Sequence, residues 1–216
     1  MNIILFGPPG AGKGTQGDAL VKKFNLYKIS TGDILREEIK NKKPLSEKIS
    51  TIINKGELVP DKVINDLIFE ILSNKNFFNK LIFDGYPRNV KQAENLDEML
   101  NKLNQKISCV FNLNVDQDVL TKRILGRQIC AKCGLIFNKY FTPVTQENHN
   151  CDVKYLIKRV DDNEDTIKHR LSIYTKETLP ILNYYNKRNL LHHIDGKNDF
   201  TTIFKQISSI INSLEG

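Results

Sequence analysis

No stretch of the chain approaches the roughly 18 uninterrupted apolar residues that a membrane-spanning helix needs, so a spanning helix is excluded and no membrane partner is expected. No charged leader precedes the first apolar run, and the expected compartment is the cytoplasm. Internal repeats and low-complexity linkers are also missing, which excludes a solenoid or a string of tethered modules. Basic residues outnumber acidic ones for a net charge of +7, yet no long basic arm gathers them. Most lysines alternate with Glu and Asp on what read as solvated helix faces. A nucleic-acid-binding module would need a basic recognition helix or a complete zinc-finger pattern, and neither is present. What remains is a soluble α/β domain with insertions, 216 residues long, 40% hydrophobic and 26% charged, with anionic metabolites as its expected partners.

The strongest local signal is Gly7-Pro-Pro-Gly10-Ala11-Gly12-Lys13-Gly14-Thr15. It follows the apolar run Ile3–Phe6 and precedes a segment whose Ala19, Leu20 and Phe24 share a helical face. In a strand-loop-helix setting, glycines let successive backbone N–H groups converge, and the helix start adds partial positive charge. Polyanionic phosphate is the natural guest, with Lys13 as the mobile cation over its outer oxygens. Gly14 stands where the usual phosphate loop has a Ser or Thr that ligates magnesium. The metal is therefore held elsewhere, or through phosphates and water, which Mg²⁺ keeps readily.

Strand patterns at Leu26–Ser30, Leu81–Phe83, Ile107–Val115 and Leu190–Ile194 alternate with helical ones, implying a parallel sheet with ligand contacts beyond its carboxyl ends. The span 30–59 has a helical pattern through Leu45, Ile49, Ile52 and Ile53 but too few apolar positions for its own core, and reads as a small flap. Asp61 opens an amphipathic helix, Asn89 another, and a long helix bearing Arg170 follows Asp161-Asp162-Asn163. From Gly126 to Asp162 the helical period is lost among aromatics and turn residues, giving a small β-rich insertion. Of the four cysteines, Cys109 lies in an apolar strand pattern and reads as a buried hydrophobe. Cys130, Cys133 and Cys151 suggest a metal staple, because Cys-x2-Cys in a reducing compartment favours metal over disulfide.

Six stretches in order closely resemble the long-lid adenylate kinases over essentially the whole chain: Gly7–Thr15, Ser30–Arg36, Asp84–Arg88, Arg123–Arg127, Arg159–Asp162 and Arg170. The resemblance implies a P-loop nucleoside monophosphate kinase, with a parallel five-stranded sheet flanked by helices as core (1–29, 60–125 and 163–216), a helical AMP-binding flap (30–59) and a β-rich lid (126–162). It also implies reversible transfer from MgATP to AMP giving two ADP, Mg²⁺ brought with ATP, and a monomer. Gly10, Ala11, Gly12, Lys13, Gly14 and Thr15 would hold ATP phosphates. Arg36 and Arg88 would hold the AMP phosphate, and Arg127, Arg159 and Arg170 would reach the transferring group when the lid closes. Guanidinium forks match phosphate oxygens better than ammonium does. Arg123 resembles the arginine that stacks on the ATP adenine, with Ile136, Phe137 and Lys197 around that ring.

By the same resemblance Thr31, Glu57, Leu58, Val59, Gly85, Tyr86 and Pro87 match the AMP pocket. The Gln92 carboxamide can donate to a ring nitrogen of adenine and accept from its amine. Its plainer reading is a helix-cap partner of Asn89. Asp84 resembles the carboxylate that holds magnesium through water, or is a turn aspartate. Asp161 and Asp162 are partners for the lid arginines, or an ordinary helix-start pair. Zinc-bearing relatives continue Cys-x2-Cys with Cys-x2-Cys or Cys-x2-Asp, but here the fourth position falls on Lys154, a poor ligand. His149 or Asp152 is left to complete a site with Cys130, Cys133 and Cys151; the alternative is a lid packed without metal. The rival within the class is a kinase for another base or one using GTP as donor.

Overall fold

The computed structural model describes residues 1–41 and 46–215, so Leu45 of the flap pattern lies outside the described residues. Five strands make one parallel sheet: β1 (Asn2–Phe6), β2 (Tyr27–Ser30), β3 (Leu81–Asp84), β4 (Cys109–Asn114) and, after the insertion, β8 (Leu191–Asp195). Their order is β2-β3-β1-β4-β8. Central β1 is buried along its whole length, as a strand covered by helices on both faces must be. Because side chains alternate, Ile4 and Phe6 join one apolar layer and Ile3 and Leu5 the other.

The first layer is completed by α4 (Asp61–Leu72) through Ile64, Ile68 and Leu72, and by α5 (Val90–Lys102) through Leu96 and Leu100. The second takes Leu20 from α1 (Lys13–Phe24) and Ile203, Ile207 and Ile211 from α9 (Phe200–Glu215). Ile68 is wholly buried, and truncating such a side chain to Ala costs about 2–5 kcal/mol. Cys109 is buried in β4, its thiol pushed up to about 12 by burial. In register, Leu5 of β1 pairs with Asp84 of β3, so the phosphate loop and the turn after β3 leave the sheet side by side.

The flap region carries α2 (Thr31–Lys40) and α3 (Ser46–Lys55). After α6 (Gln117–Leu125) come β5 (Arg127–Cys130), β6 (Ile136–Asn138) and β7 (Leu156–Ile157), a separate antiparallel sheet of order β6-β5-β7. The single long helix expected after Asn163 is instead two. α7 (Glu164–Ile173) passes through a π-helical turn at Tyr174–Thr178 into α8 (Pro180–Asn186). Proline has no N–H, and its ring strikes the carbonyl four residues back. The ladder widens just before it, with Leu179 donating to the Tyr174 carbonyl at 2.8 Å. Among the described residues no helix is long and apolar enough to cross a membrane.

Candidate active site

The loop between β1 and α1 is shaped by its glycines. Gly12 precedes the helix at φ +94° with open space around it, so backbone conformation alone demands glycine there. At Gly10, with φ +83°, a Cβ would also lie 2.8 Å from the Ile124 side chain of α6. Lys13 Nζ folds back over the loop and donates to the carbonyls of Gly7 at 2.7 Å and Pro8 at 3.0 Å. Burial lowers its ammonium to about 8 despite the opposing pull of Asp84. Burial likewise pushes the Asp84 carboxyl up against the pull of Lys13 and Lys28. A Cβ on Gly14 would sit 3.5 Å from Asp84 Oδ2, so this carboxylate faces the position of the missing Ser/Thr. Thr15 is exposed.

Arg88, Arg127 and Arg170, from distant parts of the chain, bear on this lysine, and Arg36 and Arg159 adjoin them. Arg88 Nε donates to the Gly85 carbonyl at 2.7 Å, and its guanidinium is lowered to about 10 by burial and by Arg170. Arg159 is lowered to about 10 by burial, Arg127 and Arg36. Its Nε is buried with no partner among the described residues. Aspartates hold the others apart. Asp162 accepts two bonds from Arg127, one of them 2.8 Å from Nε. Asp161 accepts from Arg170 at 2.9 Å, and Asp33 lies 2.5 Å from Arg36 and 3.7 Å from Arg159. Asp33 was missed in the sequence, although its place three residues before Arg36 on a helix makes the pair. Desolvated cations that depress one another remain charged at neutral pH, and an entering polyanion would relieve their repulsion.

Beneath the flap a cavity is lined by Thr31, Arg36, the 57–59 backbone segment, Gly85, Arg88 and Gln92. Thr31 Oγ1 donates to the Gly85 carbonyl at 2.8 Å. The Tyr86–Pro87 peptide is cis, and the Tyr86 ring belongs to the core layer with its hydroxyl on Asn65 at 2.8 Å. Tyr86 therefore backs the cavity rather than lining it. Buried Gln92 has both ends of its carboxamide engaged: Nε2 donates to Asp61 at 2.6 Å, and Oε1 accepts from the Arg88 backbone N–H at 2.7 Å. Asn89, not the Gln92 side chain, caps α5 by accepting from the Gln92 N–H at 2.7 Å.

On the other side of the loop, Arg123 donates to the Gly196 carbonyl at 3.0 Å and lies over the Phe141 ring at 5.6 Å. Phe141 is exposed. In the sequence it was one aromatic among several, and nothing local singled it out. Ile136 is exposed, whereas Phe137 turns inward, edge-on to His149 at 4.9 Å. Lys197 Nζ reaches Asp116 at 3.5 Å.

In the lid, ligand atoms of Cys130, Cys133, His149 and Cys151 lie within 4.8 Å of one another. Asp152 stays outside this group, accepting instead from the Lys154 N–H at 2.9 Å. His149 is buried, and neither ring nitrogen has a hydrogen-bond partner among the described residues. Such orphaned atoms are rare unless something is to bind them. Although burial opposes it, the Cys133 and Lys132 N–H groups bring the Cys130 thiol down to about 6, favouring the thiolate a metal requires. Cys151 is raised to about 11 by burial and its neighbouring thiols.

A family model described as adenylate kinase matches residues 5–190. The chain belongs to the adenylate kinase family. The adenylate kinase of Pelagibacter ubique (strain HTCC1062) is 44% identical over 211 residues, covering 98% of this chain and 99% of the relative. Those of Listeria monocytogenes serotype 4b (strain CLIP80459) and Archaeoglobus fulgidus are each 39% identical, over 99% and 100% of this chain and the full length of both relatives. Membership accounts for a cluster of cations set between a phosphate loop and a cavity beneath the flap, since adenylate kinases bring two phosphate chains together.

Proposed function

We propose that this adenylate kinase seats MgATP on the phosphate loop and AMP beneath the flap, and moves the terminal phosphoryl group between them to give two ADP. The observation that carries this reading is the cluster of cations beside the flap cavity, with Arg88, Arg127 and Arg170 around Lys13 and with Arg36 and Arg159 adjoining them. Phosphoryl transfer needs little covalent help, and its rate rests on alignment and on neutralising charge on the group in flight. The nucleophile is itself a phosphate oxygen, so no general base is required.

In this reading Arg36 and Arg88 orient the AMP phosphate, and Lys13 holds the donor's outer phosphates. Arg127, Arg159 and Arg170 exchange their aspartate partners for transferring oxygens as the lid (126–162) and flap (30–59) close over the core. Asp84 fits a water-held magnesium, since it faces Gly14 at the loop's mouth. The ion brought with ATP supplies charge neutralisation between phosphates. On the donor side Arg123 and Phe141 offer flat faces to a base, with the Lys197 and 136–137 backbones at its edge. Gln92 reads the acceptor base. Cys130, Cys133, His149 and Cys151 fit a tetrahedral structural zinc, in which His149 replaces the usual fourth residue.

Coupled detection of ADP from MgATP with AMP, GMP, UMP or CMP tests the assignment. AMP is expected to exceed every other acceptor by at least about 100-fold in kcat/KM. A comparable rate with a pyrimidine nucleotide would overturn the reading of the flap cavity.

A further inference from the structure

A carboxamide is ambiguous as a reader of purines. Its oxygen and nitrogen can accept from the adenine amine and donate to adenine N1, but turned over, the same group donates to O6 and accepts from N1–H of guanine or hypoxanthine. Gln92 can select adenine only if something forbids that turn. The two partners it has in this fold cannot exchange roles. A carboxylate such as Asp61 only accepts, and the Arg88 backbone N–H only donates. Turning the amide over would set oxygen against oxygen at Asp61 and N–H against N–H at Arg88, both buried, where unmade hydrogen bonds are expensive. Asp61 is itself held, accepting from Asn89 Nδ2 at 3.2 Å on each of its oxygens.

We infer that Asp61 is a positioning residue for base selection: it fixes the Gln92 carboxamide in the one orientation that matches adenine and mismatches any 6-oxopurine. The inference rests on the reading of Gln92 as the group that faces the AMP base.

The test compares kcat/KM for AMP and IMP, because hypoxanthine carries the guanine-like N1–H and O6 without the bulk of a 2-amino group. Asp61→Asn keeps the shape but provides an amide that can turn with Gln92, so the Asp61 end no longer forbids the turn and only the Arg88 N–H still opposes it. The AMP-to-IMP ratio is expected to fall at least about tenfold, whereas a merely structural loss would lower both substrates together. Gln92→Ala should also flatten the ratio. If Gln92→Ala flattens it and Asp61→Asn leaves it unchanged, the positioning role is overturned while the base-reading role stands. If neither variant moves it, the AMP-base reading fails, and this inference with it. Should Asp61→Asn unfold below assay temperature, deuterium exchange of the Gln92 side-chain amide decides the matter in the unaltered protein. Locked, it exchanges at least about tenfold slower than that of exposed Gln117; an equal rate overturns the lock.

Discussion

The cations of the core and those of the lid side are held in different ways. Lys13 and Arg88 follow buried parallel strands and are pinned by main-chain carbonyls, at 2.7 Å in each case. Arg127 and Arg170 are held by aspartate side chains next to one another in the chain, Asp162 and Asp161. These acceptors, Gly7 and Gly85, are the first residues after packed strands, so the backbone fixes their carbonyls. A carboxylate can be exchanged for a phosphate oxygen by rotation of two side chains. We propose that Lys13 and Arg88 form a preorganised half of the site and Arg127 and Arg170 a half that can change partners, which suits a reaction that must admit two nucleotides and then exclude water.

The sharpest way to break this comparison is at the core cations. Lys13→Met and Arg88→Ala should each reduce turnover at least about 100-fold in the coupled ADP assay; rates near those of the unaltered protein would mean that the preorganised half is not where transfer is stabilised. Asp162→Ala leaves Arg127 without its buried partner and should reduce kcat about tenfold, with a lower melting temperature, since the charge is stranded. A loss as large as that of Lys13→Met would erase the distinction between the halves.

Protonation sharpens the comparison from the core side. With the free-protein ammonium of Lys13 near 8, kcat/KM for MgATP should decline by about tenfold per unit once pH rises above that value. The dependence of kcat should be flatter, because bound phosphate favours the charged lysine. The unfolded chain keeps this lysine protonated up to about 10.5, so it binds more protons than the folded one between 8 and 10.5. Over that window Lys13 makes stability rise with pH, and its burial is a cost accepted for the site. A flat kcat/KM profile from pH 7 to 10 would remove Lys13 as the titrating group.

The smallest effect concerns the lid's own staple. Purified protein should carry about one zinc per chain by metal analysis, and Cys151→Ser should abolish it. Metal loss should add a separate low-temperature transition for the lid while the core transition shifts little. Metal-free protein with a single unaltered transition would assign the lid's packing to its apolar residues alone.

Much of this was readable before any coordinates. The phosphate loop, the alternation of strands and helices and the position of the β-rich insertion all depend on neighbours in the chain: glycines at fixed offsets, apolar periods of two or 3.6, and turn residues between them. Cys130 and Cys133 pointed to metal for the same reason. Other features were out of reach because they are contacts between segments without a common local pattern. His149 and Asp152 were equal candidates in the sequence, and only the path of the chain from Thr145 to Lys154 turns one toward the thiols and the other outward. Phe141 becomes distinctive once Arg123 lies over it; the break in the helix after Asn163 is different, since Pro180 is a local signal for it.

What the amino-acid order determined by itself was the set of chemical groups and the elements that bear them: a phosphate loop, arginines at element ends, a thiol cluster, a parallel sheet. Tertiary structure alone decided their mutual orientation, down to which way the Gln92 amide faces. Periodicity and loop chemistry act over a few residues, whereas the Asp61–Gln92 bond joins residues 31 positions apart. Its direction depends on where α4 places a carboxylate and the turn before α5 places the Arg88 N–H, which only the folded packing specifies.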